Sequence, residues 1–271
     1  MTGRGEPEVT IACLHQPNFL PWIKLISKIA ASDVWIVYDS VQYTKTEFHS
    51  RQLINTRHGP MLLSVPVLRA GRPRFQTLAD VELCDDHNWR AAHLRQLTEH
   101  YRRTPYWSEV YALLEPVYYA GHRHLVDFNL DLAEAIMRYV GVRTTVVRAS
   151  SLPHHGDRTD RLIQLNQAVG AEVHLTGTYN SDRVDIDWDR VAQTGISVCA
   201  HQFTHPVYPQ PSKPFVANLS IVDMLSNCGP GSFDQLAQRR RNAVVLRGRD
   251  PTLRTLSQVA GVRSRSSASL S

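Results

Sequence analysis

The sequence predicts an α/β protein whose sheet is mainly parallel. Three observations lead to this fold class: β-prone apolar runs at residues 9–14 and 34–38, helical spacing of the apolar residues between them, and renewed strand–helix alternation after residue 157. Hydrophobic residues make up 42% and charged residues 20% of the 271, which is typical of a globular chain. We expect residues 9–247 to form one α/β domain.

The first 38 residues predict a βαβ unit. The apolar run 9–14 ends at His15, apolar residues at helical spacing follow over 20–31, and the run 34–38 is the kind expected of a buried parallel strand. A strand, a helix and a strand within about 30 residues are typical of a Rossmann-like or HUP-like start. Ligands of such sheets bind at the carboxyl ends of the strands.

A helical insertion is predicted in the middle of the chain, at residues 86–140. It follows a predicted strand at 61–67. Apolar residues lie three and four apart in three segments of the insertion, 89–103, 105–119 and 124–139. The alternation then resumes with predicted strands at 144–147, 173–176 and 196–199 and a helix at 162–168. The predicted architecture is thus a parallel sheet that carries a helical insertion.

Residues 205–214 predict a rigid loop, because four prolines there remove backbone donors and fix the backbone. A helix is expected to follow at 218–226. We expect this proline-rich loop to fold over the strand ends.

Both termini are predicted to lie outside the domain. Residues 1–8 are polar and expected to be mobile, and residues 248–271 form an Arg/Ser-rich tail expected to be disordered. Eight arginines and one acid lie beyond residue 236, so this end carries +7 although the whole chain carries +5. The remainder has no cationic excess, which argues against a nucleic-acid partner.

Four cysteines lie far apart without a CxxC pair, which predicts neither a disulfide framework nor a zinc ribbon. A reducing cytoplasm is the expected location.

No apolar run approaches the roughly 20 residues of a membrane span. No metal site is expected, because the pair His201 and His205 is followed by a proline and is not predicted to be helical.

The first candidate cluster follows the first strand. His15, Gln16, Asn18 and Trp22 lie where a strand leads into a helix, and two prolines stiffen this junction. Polar groups there can act beside the free N–H groups of a helix start, where an anion or oxyanion is stabilised. Alternatively, His15 and Asn18 only cap the helix.

The second candidate cluster, Asp39, Gln42, Lys45 and Arg51, follows the second strand. Parallel strands end at one edge of a sheet, so Asp39 is expected to open onto the same crevice as His15. Taken singly, these residues are equally compatible with a solvated loop.

The third candidate cluster consists of His205, Tyr208 and Gln210 in the proline-rich loop and Asp223 in the following helix. Long loops in compact domains are often functional, so these residues are expected to line one wall of the cleft. The alternative is a structural connection with a surface histidine.

Four motifs occur in a characteristic order: HQPNFLPW, DSVQYTKTEFHSRQLI, HPVYPQ and FVANLSIVDMLSNCGPG. With them the chain resembles the WbqC-like family from about residue 11 to 231. The resemblance implies that the motif residues form the site. Because the family is known from polysaccharide and natural-product gene clusters, it also implies N-acyl or aminoacyl transfer to amino sugars or amino-bearing metabolites.

Acyl transfer from a thioester to an amine needs a base and donors for the oxyanion. His15 or His205 can be the base, with Asp39 as a further catalytic residue and Gln16, Asn18 and Lys45 as polarising groups. The expected cofactor is at most an acyl or aminoacyl thioester donor. The expected partners are an amine or amino-sugar substrate and an acyl or peptidyl carrier protein.

Two other functions remain open at this point. His15-Gln16-Pro17-Asn18 occupies the place of the HxGH signature of nucleotidylyltransferases and related ATP-dependent ligases, with Pro17 for the glycine and Asn18 for the second histidine. A non-catalytic scaffold is the other alternative. Polar residues directed at one crevice argue against it, because scaffolds bind mainly through apolar anchors.

Overall fold

The computed structural model describes residues 9–68, 71, 75–85, 88–177, 186–211, 213–233 and 244–247. The predictions of a mobile segment at 1–8 and a disordered tail at 248–271 lie outside these residues. Within them the strands are β1 Ile11–His15, β2 Val34–Val37, β3 Arg51–Thr56, β4 Gly59–Ser64, β5 Thr145–Arg148, β6 Val173–Gly177, β7 Ser197–His201 and β8 Val244–Arg247. The helices are α1 Ile23–Ala30, α2 Trp89–Tyr101, α3 Trp107–Tyr118, α4 Leu125–Tyr139, α5 Arg158–Ala168, α6 Trp188–Gln193 and α7 Ile221–Cys228.

The main sheet has the order β5-β2-β1-β6-β7-β8, and its first five strands are parallel. β8 runs antiparallel to β7 at the edge. The predicted α/β fold with a mainly parallel sheet is confirmed. Chain order reverses between β1 and β6, because β2 and β5 lie on one side of β1 and the later strands lie on the other. Such a topological switch point is where open α/β sheets bind ligands.

Helices cover both faces of this sheet, which explains the continuous apolar runs of its strands. Cys13 of β1 packs into the large core together with Ile26 of α1 and Phe128 of α4. Its neighbour Ala12 points to the opposite face and packs near Leu165 of α5. The alternation of β1 therefore divides the helices into a layer with α1 and α4 and a layer with α5.

The chain between β2 and β5 contains a hairpin and three helices. β3 and β4 pair antiparallel outside the main sheet. The predicted strand at 61–67 is the second arm of this hairpin, whereas the first arm was not predicted because Arg51, Gln52 and Asn55 give it a polar sequence. The three helices expected at 86–140 are present as α2, α3 and α4.

The segment between β1 and α1 is irregular and well packed. Phe19 and Leu20 are fully buried, and Leu20 has a φ of 40°, a backbone conformation that is uncommon outside glycine. The helix begins at Ile23, later than the predicted residue 20. The described residues of the predicted loop 205–214 contain no helix or strand, and α7 follows close to the predicted 218–226.

Candidate functional site

A cavity of about 610 Å³ opens at the switch point, beside the carboxyl ends of β1 and β6. Its volume is within the range of about 300–1,000 Å³ typical of small-molecule sites. The polar and aromatic side chains that line it are those of His15, Gln16, Tyr38, Ser40, Gln42, Thr44, Arg158, Arg161, His174, Thr176 and Trp188. We call this cavity the crevice.

His15 is held in one tautomer at the end of β1. Its Nδ1 lies 2.8 Å from the carbonyl oxygen of Gln16. Because a carbonyl oxygen only accepts, Nδ1 carries the proton and Nε2 presents a lone pair. Burial and then the positive charge of Lys28 lower the pKa of His15 to about 3. The free protein therefore presents a neutral imidazole at the crevice.

Gln16 is oriented by a histidine that sequence reasoning missed. The backbone N–H of Thr44 donates to Nδ1 of His49 at 3.3 Å, so the proton of His49 lies on Nε2. That Nε2 donates to the Gln16 side-chain oxygen at 3.0 Å. The Gln16 amide nitrogen is thereby left as a donor at the crevice. His49 lies inside the second motif, but its position along the chain does not indicate that its ring contacts Gln16.

A third fixed histidine lies on β6. Asn166 donates its amide nitrogen to the carbonyl oxygen of Leu162 at 2.7 Å, so its side-chain oxygen accepts from Nδ1 of His174 at 3.2 Å. His174 is 3% exposed, and burial lowers its pKa to about 3. Its ring stacks on Trp188 with 6.4 Å between centroids. A histidine within a short apolar strand is expected to be a buried core residue, so the sequence did not indicate His174 as a site residue.

The opposite wall of the crevice is basic. Arg158 and Arg161 of α5 both line it, and no aspartate or glutamate is among the described lining residues. The start of α5 is closed by its own capping box, in which Asp157 and Asp160 satisfy each other's backbone N–H groups. An anion in the crevice would therefore meet the two guanidinium groups and not the end of the helix.

Lys28 of α1 and Cys13 of β1 are both buried, and the positive charge of Lys28 acts on His15 at the crevice. Lys28 is 6% exposed and donates from Nζ to the carbonyl oxygen of Leu14 at 3.3 Å. Burial lowers the pKa of Lys28 and raises the pKa of the fully buried Cys13 thiol. A raised thiol pKa disfavours the thiolate that covalent catalysis needs.

Asp39 is fully buried and paired, and it does not line the crevice. Its carboxylate accepts from Nε of Arg148 at 2.7 Å, from the backbone N–H of Ser150 at 2.8 Å and from the Ser150 hydroxyl at 2.7 Å. These contacts join the end of β2 to the end of β5. Asp39 is thus a buried, fully paired carboxylate beside the crevice.

Lys45 and Arg51 also lie outside the described lining of the crevice. Lys45 is exposed, and Arg51 donates from Nη2 to the carbonyl oxygen of Thr46 at 2.6 Å. Gln42 does line the crevice, and an isolated bridge pairs its backbone with Thr77.

Asn18 and Trp22 belong to the packed segment after β1. Asn18 is 6% exposed, and Trp22 packs on Phe48 with 5.3 Å between ring centroids. Trp22 also forms an isolated bridge with Ser220. Neither is part of the described crevice lining.

His205 uses both ring nitrogens within the proline-rich loop. Nδ1 donates to the carbonyl oxygen of Pro206 at 2.8 Å, and Nε2 accepts from the backbone N–H of Asn218 at 3.0 Å. No lone pair is left for a substrate proton. Of the two histidines considered as the base, only His15 retains a free acceptor at the crevice.

Tyr208, Gln210 and Asp223 form a buried cluster of their own. The Tyr208 hydroxyl and the Gln210 amide nitrogen each donate to Oδ2 of Asp223 at 2.8 Å. Burial raises the pKa of Asp223. The structure thus divides the predicted site. His15, Gln16 and Gln42 lie at the crevice. Hydrogen bonds among Tyr208, Gln210 and Asp223 join the proline-rich loop to α7.

Fold and crevice together define an α/β protein with helices on both faces of a parallel sheet and a polar cavity at the switch point. The model of the WbqC-like protein family matches residues 16–235. This match spans most of the chain, and the chain belongs to the WbqC-like family.

A relative in Mycobacterium tuberculosis (strain ATCC 25618 / H37Rv), named uncharacterized protein Rv1507c, is 30% identical over 228 residues. The alignment covers 83% of this chain and 97% of the relative. No solved structure matches the chain.

Among the described residues, no helix is long and apolar enough to cross a membrane, and no cluster of three or more His, Cys, Asp or Glu side chains could hold a metal ion.

Proposed function

We propose that this protein is a cytoplasmic biosynthetic transferase that forms an amide on the amino group of a sugar or natural-product intermediate. The acyl or aminoacyl group comes from a thioester donor, either free or on a carrier protein. One observation carries the proposal: at the end of β1 an imidazole lone pair on His15 and an amide donor on Gln16 face the same crevice. Amide formation needs this pair of functions.

The reaction follows from the fixed tautomers. The substrate amine attacks the thioester carbonyl carbon, and the Gln16 amide nitrogen donates to the oxygen that becomes negative. Nε2 of His15 takes a proton from the attacking nitrogen. As the tetrahedral intermediate collapses, the carbon–sulfur bond breaks and His15 returns the proton to the leaving thiolate. The products are an amide and a thiol, so atoms and charge balance without an oxidant or a metal.

The low pKa of His15 belongs to the free protein. A negative charge beside an imidazole favours its protonated form and raises its pKa. Arg158 and Arg161 support binding of an anionic donor, such as one with a phosphorylated arm, and the developing oxyanion adds a second negative charge next to His15. His15 thus becomes a stronger base when the reactants are bound.

The assay supplies acyl-coenzyme A and acylated carrier protein as donors, an amino sugar as acceptor, and reactions with and without ATP. We expect thiol release that depends on the amine and not on ATP, and an amide product identified by its mass. An absolute requirement for ATP, with release of pyrophosphate, would contradict the proposal.

The runner-up function is nucleotidyl transfer or ATP-dependent ligation. The strand order and the position of the crevice favour it, because nucleotides bind at switch points of such sheets. Against it, Asn18, which stands in place of the second histidine of the HxGH signature, is buried and outside the described crevice lining. The arms with and without ATP distinguish the two functions.

A further inference from the structure

A second cavity, of about 520 Å³, lies away from the residues of the crevice. It is enclosed by the turn between β3 and β4, the end of α2, the proline-rich loop and the end of α7. Three arginines line it: Arg57 from the turn, and Arg102 and Arg103 from the residues after α2. Glu99 is the one acidic residue among the described lining, so this surface has a positive excess.

These arginines differ from five others in the part of the chain that the structure describes. Arg90, Arg123, Arg138, Arg148 and Arg190 each form an ion pair with a carboxylate. For Arg57, Arg102 and Arg103 no such pair is found among the described residues. Arg57 donates from Nε to His58 at 2.8 Å, a neutral contact that leaves its charge unbalanced. Three exposed guanidinium groups from two elements therefore line one concavity, in which Glu99 is the one carboxylate among the described residues and forms no ion pair with them.

The wall opposite the arginines is preorganised. Gln210 lines the cavity, and every polar atom of its side chain is engaged: the oxygen accepts from the backbone N–H of Val216 at 2.8 Å, and the nitrogen donates to the Val216 carbonyl at 2.9 Å and to Asp223. Pro209 and Pro211 flank it in the lining. A ligand that enters would not have to order this loop, which lowers the entropic cost of binding.

We propose that this second cavity is a binding site for a phosphate-bearing small molecule. Guanidinium groups bind phosphate oxygens through paired hydrogen bonds, and several of them around one concavity suit a diphosphate better than a single carboxylate. A concave site of this volume fits a small ligand, whereas a docked protein would need a more extended surface. The site is independent of amide formation in the crevice.

Isothermal titration of the full chain with inorganic pyrophosphate at low salt tests the site. Because the arginines of the crevice could also bind this probe, the titration is done in wild type and in an Arg158→Gln, Arg161→Gln background. We expect saturable binding in both. Adding Arg102→Gln and Arg103→Gln should weaken the binding in the background at least about 10-fold, since charge-assisted hydrogen bonds to the phosphate are lost.

The matched control is Arg138→Gln with Arg143→Gln, which removes two exposed arginines and the same net charge elsewhere on the surface. It should leave the affinity nearly unchanged. In wild type, amide resonances of Arg57 and Thr104 should shift on titration. Binding that survives the loss of Arg102 and Arg103, or absence of binding in the background, would overturn the proposal. So would arginine-dependent capture of an acidic carrier protein without any pyrophosphate binding, which would make this surface a protein-docking site.

Discussion

The crevice and the proline-rich loop contain the same kinds of side chain but use them in opposite ways. At the crevice, His15 and Gln16 each use one polar side-chain atom in a hydrogen bond to a neighbouring residue, and the other polar atom is available to a ligand in the cavity. In the loop, His205 uses both ring nitrogens on the backbone, and Gln210 is fully engaged with Val216 and Asp223.

The difference separates reactive groups from positioning groups. A polar atom that is satisfied inside the protein stabilises the fold, because leaving it unpaired would cost about 1–3 kcal/mol. A polar atom that faces a cavity with no internal partner is available to a ligand. On this criterion the proposed chemistry is assigned to the crevice, whereas the proline-rich loop forms part of the wall of the second cavity.

Removal of each histidine in turn is expected to have the largest effect on activity. His15→Ala should lower the rate of amide formation by about 10²–10⁴-fold, the usual contribution of a general base. His205→Ala should lower it only slightly, because neither of its nitrogens reaches substrate. Cys13→Ser should also keep substantial activity, since its buried thiol has a raised pKa. Initial rates of thiol release measure all three.

Each of these variants must retain a native melting transition. An inactive Cys13→Ser together with an acyl adduct on the wild-type thiol would move catalysis to the cysteine. An active His15→Ala would reduce His15 to a structural residue.

A second test concerns Asp39, which lies beside the crevice but is satisfied like the residues of the loop. Asp39→Ala should lower the free energy of unfolding by about 3 kcal/mol, near the lower end for a broken buried pair because Arg148 is partly exposed and keeps Asp127. Chemical denaturation gives the value.

Glu134→Ala is the control for Asp39, because it removes an exposed carboxylate paired with Arg138. It should cost no more than about 1 kcal/mol. Equal losses in the two variants would mean that the contacts of Asp39 do not anchor β2 to β5.

The contact between His49 and Gln16 can be tested by mutation of His49. His49→Ala frees the Gln16 amide to rotate, and we expect kcat to fall about 10-fold, as for a weakened oxyanion contact, with little change in KM. His49→Gln restores a donor to the Gln16 oxygen and should recover part of the loss. If kcat and KM were both unchanged in His49→Ala, Gln16 would not depend on His49.

The smallest expected effect is a pH dependence of stability at Asp223. Burial raises its folded-state pKa, so the folded protein holds this proton more tightly than the unfolded chain. This group therefore contributes stability as pH falls through its folded pKa toward the unfolded value of about 3.9, and the contribution disappears as pH rises. Subtracting the unfolding curve of Asp223→Asn from that of wild type should reveal this gain on the acid side.

Tyr208→Phe provides the check on that sign. The hydrogen bond from the Tyr208 hydroxyl lowers the pKa of Asp223, so its removal should raise this pKa further. The pH range over which Asp223 changes the free energy of unfolding should then become wider. A difference curve with the opposite slope would show that the Asp223 carboxylate is favoured in the folded protein.

The sequence predicted the parallel sheet because this sheet follows from local patterns. Apolar runs that end at His15 and near Asp39 identify two neighbouring strands, and their ends must meet at one edge. It did not predict β3, whose polar residues hide the strand pattern, or the separation of His205 from His15. The two histidines differ because Nε2 of His205 accepts a hydrogen bond from the backbone N–H of Asn218, thirteen residues away. No local sequence pattern predicts this contact.

His49, His174 and the α5 arginines were missed for a related reason. Their importance comes from tautomers and charges set by distant residues, such as Asn166 for His174. Spacing along the chain can place a residue on an element, but it does not say which of its atoms remains unpaired.

The pairing of β1 with β6 also sets when the crevice can exist. Ala12 lies opposite His174, so this contact closes a loop that contains the hairpin and all three helices of the insertion. Contacts of such sequence separation carry a loop-closure entropy that is offset only when many of them assemble together. A chain with only α2, α3 and α4 folded has no ligand site at the switch point. A compound bound in the crevice will therefore stabilise only those states of the chain in which β1 is paired with β6.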